Sequence, residues 1–142
     1  MGKKLRVVFD TNIWVSIILN KSLAGRLLPL IRSRRVSAYV SEQQLEELAR
    51  VLTYPKIVSI LNEAEIDPRA ALAAILRSAT LIRSKASVKQ IREDPSDNMV
   101  LESALSAKAK FIVSGDSHLL ALAEFRGIKI LKARAFEEIA RG

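Results

Sequence analysis

Four acids, widely separated in the chain, have the type and spacing to do chemistry together: Asp10, Glu47, Asp97 and Asp116. Asp10 ends the apolar run Leu5-Arg6-Val7-Val8-Phe9, and Asp116 lies three residues past Phe111-Ile112-Val113. Asp97 falls in the first turn of a helix opened by Asp94-Pro95, and Glu47 in the second turn of a helix capped at Ser41. Singly, each has an ordinary alternative, because acids after strands and in first helical turns cap N–H groups and suit the helix dipole. As a set they are more informative. Two carboxylates about 4 Å apart repel by about 4 kcal/mol at an effective dielectric of 20, so a cluster of four raises their pKa values or demands a cation. Ligand sets made only of oxygen suit Mg²⁺ or Mn²⁺. The chain has no cysteine and one histidine, which leaves no good zinc site. A hard divalent cation held in a chain of net charge +8 points to phosphodiester chemistry.

The elements must bring these acids to one place. β-branched and apolar runs at residues 5–9, 37–40, 81–83, 111–113 and 128–130 predict strands. Helices are predicted between them, over 11–20, 24–35, 41–53, 56–61, 67–79, 94–107 and 117–125, with a terminal one at 136–140. Ser41 with Gln44 is a capping box, and Asp67-Pro68 and Asp94-Pro95 pair an N-cap with a first-turn proline. Arg32, Arg34 and Arg35 suit the carbonyl end of the second helix, and Gly127 is read as the end of the seventh. Strands separated by helices imply right-handed crossovers and a parallel sheet covered on both faces. The predicted fold class is α/β, a three-layer α/β/α sandwich with a mostly parallel, about five-stranded sheet, in one domain spanning residues 1–142. Ligands in such sheets sit beyond the carboxyl ends of the strands, where the four acids would fall. Either Glu46 or Glu47 could be the helix ligand. Glu46 has Arg50 at i+4, whereas Glu47 lies beside the Leu48 stripe.

The chain of 142 residues is 49% hydrophobic, enough for a core and too much for disorder. It holds no apolar run of about 20 residues, and a cytoplasmic location is expected. Residues 1–36 carry eight Lys/Arg and one Asp, and residues 81–93 carry four against one Glu. Arg83, Lys85, Lys89 and Arg92 are candidates for nucleic-acid phosphate contacts, with Lys3, Lys4, Lys21 and Arg26 extending that surface. Seven aromatics fall mostly on strands or apolar helix faces, so a nucleic acid would be gripped by its backbone rather than by stacking. Trp14, Ile17 and Ile18 exceed what one core needs, and a homodimer is expected. His118 is expected on an exposed helix face, a general-base role being the lesser alternative.

Four segments in order resemble the PIN domain family of metal-dependent ribonucleases. They are Val8-Phe9-Asp10-Thr11-Asn12, Glu46-Glu47-Leu48, Asp94-Pro95-Ser96-Asp97-Asn98 and Ser114-Gly115-Asp116. The forms around Asp94 and Ser114 are similar to the VapC-like toxins of toxin–antitoxin systems. The resemblance implies that Asp10, Glu47, Asp97 and Asp116 bind Mg²⁺ or Mn²⁺ and are catalytic. Asn12 and Ser114 would orient ligands or water, and Asp94 would act from behind them. It also implies hydrolysis of RNA to a 3′-hydroxyl and a 5′-phosphate, and a small antitoxin as partner. Housekeeping RNA processing and a non-catalytic RNA-binding module are the alternatives. A receiver domain would want two acids after the first strand, and a HAD-type phosphatase would want an acid where Asn12 stands.

Overall fold

The computed structural model describes residues 4–84 and 95–142, so Lys3, Lys85, Lys89, Arg92 and Asp94 lie outside the described residues. The chain runs β1 (Leu5–Phe9), α1 (Thr11–Leu19), α2 (Lys21–Arg32), β2 (Val36–Ser41), α3 (Glu42–Val51), α4 (Pro55–Glu63) and α5 (Pro68–Ser78). It continues with β3 (Thr80–Ile82), α6 (Pro95–Ser106), β4 (Phe111–Val113), α7 (Ser117–Leu122), β5 (Glu124–Phe125), β6 (Ile128–Leu131) and α8 (Ala133–Arg141). The sheet order is β3-β2-β1-β4-β6-β5. All neighbours are parallel except β5 and β6.

β1 lies centrally, and its alternation divides the core into two layers. Val7 and Phe9 pack with Trp14, Leu27, Leu48 and Phe136 on one face. Val8 packs with Leu101, Ile112, Leu119 and Ile130 on the other. Burial on both faces explains why β1 is a continuous apolar run. The α/β three-layer expectation holds, with one strand more than foreseen. β5 is two residues long and joins β6 through Arg126 (φ 49°) and Gly127 (φ 84°). Two successive left-handed residues make the turn that suits a two-residue hairpin. Gly127 therefore turns a hairpin rather than ending a helix, because α7 already stops at Leu122. Its successor Ala123 takes φ 58°.

Other boundaries also shift for physical reasons. α2 begins at Lys21, because Asn20 Oδ1 accepts from the N–H groups of Ser22 and Leu23. Of the basic trio only Arg32 lies in its last turn. Arg35 instead donates from Nη1 to the Arg141 carbonyl at the end of α8. α8 begins three residues earlier than predicted, at Ala133. Trp14 is fully buried and stands edge-on to Phe9 at 5.0 Å between ring centroids, so it belongs to the core and not to a dimer surface. Among the described residues, no single helix is long and apolar enough to cross a membrane.

Candidate functional site

The parallel strands deliver Asp10, Ser41 and Ser114 to the same edge of the sheet, since each ends or follows a strand there. A cleft of about 380 Å³ opens beyond that edge, lined in part by Asp10, Asn12, Glu47, Ser96, Asp97 and Asp116. The four acids singled out in the sequence thus share one cavity.

Asp10 occupies the N-cap position of α1, and its Oδ2 accepts from Ser114 Oγ at 2.7 Å. Burial raises the Asp10 pKa, the Ser114 hydroxyl and the Asn12 backbone N–H oppose that rise, and the nearby Asp116 and Glu47 carboxylates add to it. Asp116 both caps a helix and borders the cleft. Its Oδ1 caps α7 by accepting from the N–H groups of His118 (2.7 Å) and Leu119 (3.2 Å), while the residue also lines the cleft. Ser114 is fully buried and accepts from the Asp116 N–H at 3.0 Å, so one hydroxyl ties two of the acids together.

Glu47 is distinguished from Glu46 by a neighbouring capping box. Ser41 Oγ accepts from the Gln44 N–H, and the Ser41 N–H donates to Gln44 Oε1. The other end of that amide, Nε2, donates to the Phe9 carbonyl at 2.8 Å. This pins α3 to the end of β1, one residue before Asp10. Glu47 follows Gln44 by three positions and so lies on the same helix face. Ser96 Oγ donates to Glu47 Oε2 at 2.8 Å, whereas Glu46 is exposed and outside the cleft. Asp97, on the first turn of α6, is buried.

Asp97, Asp116 and His118 each offer a ligand atom within 4.8 Å of the others. His118 is largely exposed, as expected, but its Nδ1 lies 3.8 Å from Asp116 Oδ1, at the rim of the site. The carboxylate oxygens fit a hard divalent cation that keeps several waters, while the imidazole nitrogen at the rim is a donor typical of borderline metals.

Four lining residues went unforeseen, Arg50, Val51, Tyr54 and Ser96. For the first two the signal was present in the sequence. Arg50 and Val51 follow Glu47 at the i+3 and i+4 spacing of one helix face, whereas Tyr54 lies in the turn after α3. Tyr54 is the one exposed aromatic; the other six are buried or half-buried, as the reading of the aromatics as mostly core expects. Arg83 is exposed, pairs with Glu42 at 3.7 Å and is not among the residues lining the cleft. Arg26 is not part of an open basic surface, because its Nε donates to the buried Glu137 carboxylate at 3.0 Å. Lys4 precedes β1 and so sits at the sheet edge opposite the cleft, about 17 Å away for a five-residue strand.

A family model described as PIN domain matches residues 6–118. The uncharacterized protein MJ1680 of Methanocaldococcus jannaschii is 29% identical over 121 residues, covering 84% of this chain and 76% of that protein. In structure the chain is similar to a chain of VapBC2 from Rickettsia felis, determined bound to a DNA fragment from its promoter. The TM-score is 0.61 at 16% identity, covering 89% of this chain and 97% of the other.

Proposed function

The chain belongs to the PIN domain family, and from that premise we propose that it is a divalent-metal-dependent endoribonuclease acting as the toxin of a toxin–antitoxin pair. The observation that carries the reading is the shared cleft. Carboxylates from β1, α3, α6 and the loop after β4 line one cavity, and burial together with neighbouring carboxylates raises the pKa of Asp10. Such a concentration of negative charge is stable only when protonated or when a cation is bound.

Asp10, Glu47, Asp97 and Asp116 would hold Mg²⁺ or Mn²⁺, with His118 at the rim. A cation there supplies charge neutralisation and makes water a better nucleophile at neutral pH. The remaining work falls to the chain itself. Ser114 holds Asp10 and Asp116 in register, and Ser96 fixes Glu47. Asn12, exposed and lining the cleft with Asp10, would orient a water or a phosphate oxygen. Arg50 would grip a phosphate of the RNA, and the Tyr54 ring would stack on a flanking base. The antitoxin partner is supported by the likeness to VapBC2. The homodimer and the single-domain organisation are further parts of the proposal.

The test is cleavage of RNA by the purified protein with Mn²⁺, with EDTA, and with Asp10→Asn and Asp116→Asn. Cleavage is expected only for the unaltered protein with metal. RNA cleavage that persists in EDTA or in both variants sinks the reading. A short adjacent reading frame encoding a DNA-binding protein, which inhibits cleavage when co-purified, would identify the toxin role.

A further inference from the structure

Four adjacent strands of the sheet, β2, β1, β4 and β6, are parallel, so all four begin at the edge opposite the acidic cleft. The residues leading into them are strongly one-signed. Lys4 precedes β1, Arg34 and Arg35 precede β2, Lys108 and Lys110 precede β4, and Arg126 stands two residues before β6. All six are exposed, and the connections that hold them, residues 33–35, 107–110 and 126–127, contain no acid. Backbone hydrogen bonds knit this edge together. The Leu5 N–H donates to the Arg35 carbonyl, Lys110 to Arg6 and Lys129 to Lys110. At about 4.8 Å per strand the row of strand starts is about 14 Å wide.

Two features set this row apart from ordinary solvation. Arg34, Lys108 and Arg126 have φ of 65°, 54° and 49°, a conformation in which glycine is the unstrained residue. Each of these three tight turns carries a cation instead. The helix dipole accounts for Arg32, Arg77 and Arg141, which lie in the last turns of α2, α5 and α8. It does not account for Lys4 or Arg126, which follow no helix. Of the described acids, Glu124 is in register with Lys129 and Glu138 lies near the end of α8.

We propose that this edge is a second RNA-binding surface, one that holds the phosphodiester backbone of a long or folded RNA about 17 Å from the cleft, at the far end of β1. The proposal deepens the ribonuclease reading and rests on it for the identity of the polyanion. Such a surface would select substrates by length and shape, since a few nucleotides in the cleft do not reach it.

The three left-handed positions allow a clean test. The triple variant Arg34→Gly, Lys108→Gly, Arg126→Gly removes three charges where glycine is conformationally favoured. Its melting temperature is expected not to fall, which separates charge loss from misfolding. Binding of a labelled hairpin RNA of about 40 nucleotides, measured in EDTA by fluorescence anisotropy, should weaken about tenfold. The salt dependence of log K should lose about two of its slope, at about 0.7 per phosphate contact. With Mn²⁺, cleavage of a six-nucleotide RNA should be unchanged, while KM for the hairpin rises. Unchanged hairpin affinity and salt slope would overturn the proposal. So would weakened binding of duplex DNA with RNA binding intact, which would make DNA the occupant. Failure of the unaltered protein to cleave RNA, with hairpin binding still lost in the variant, would instead fault the ribonuclease reading and leave the surface standing.

Discussion

Ser114→Ala removes one oxygen from the centre of the acidic site. That hydroxyl is fully buried, donates to Asp10 Oδ2 at 2.7 Å and accepts from the Asp116 N–H at 3.0 Å. A hydrogen bond to an ionised group contributes about 1.5–3 kcal/mol, and a neutral one about 0.5–1.5 kcal/mol. Without metal, at a pH high enough to ionise Asp10, the variant should therefore lose about 2–4 kcal/mol of unfolding free energy in urea. The loss should be smaller by about 1–1.5 kcal/mol at a pH low enough to keep Asp10 neutral, where both hydrogen bonds are neutral. Manganese affinity by titration calorimetry should fall about 10- to 100-fold, the usual cost of removing a group that orients a ligand. Alanine fills nearly the same space, so packing contributes little. A stability loss equal at both pH values, or an unchanged manganese affinity, would refute the claim that Ser114 positions the two acids.

Three further outcomes follow from the same geometry. Asp10→Asn should stabilise the metal-free protein at neutral pH while abolishing cleavage. The folded pKa of Asp10 is raised by burial, so its contribution to stability is fully present below the unfolded pKa and lost as pH rises through the folded one. Urea unfolding across pH should show that decline in the unaltered protein and not in the variant. Glu47→Gln should weaken manganese binding at least tenfold, whereas Glu46→Gln, altering an exposed side chain outside the cleft, should leave it unchanged; titration of both variants checks this. Gln44→Ala would strip the Phe9 carbonyl and the Ser41 N–H of their partner inside the protein, at about 2–4 kcal/mol by urea unfolding.

Much of the arrangement was legible because it is written in local chemistry. A proline after an aspartate, a serine three residues before a glutamine, and an apolar run ending in an acid each report a boundary through short-range sterics and hydrogen bonding. Alternating strands and helices then leave few topologies, because crossovers are right-handed. Those two facts place Asp10 and Asp116 at one edge without any knowledge of the structure. The hairpin at Arg126-Gly127 escaped, because a two-residue edge strand has no hydrophobic period to detect.

What only the tertiary structure decided are matters of contact between distant segments. That Glu47 rather than Glu46 lines the cleft depends on Gln44 reaching the Phe9 carbonyl and on Ser96 reaching across from α6. Ser114 becomes a link between two acids only when β4 lies beside β1. Arg26 leaves the basic surface because Glu137, far away in sequence, is buried against it. The charge itself tells the same story. The sequence fixes the net +8, but a sum has no direction. Parallel pairing places the acids where the strands end and a row of cations where they begin. That polarity is a property of strand direction in the sheet, which no local run of residues encodes.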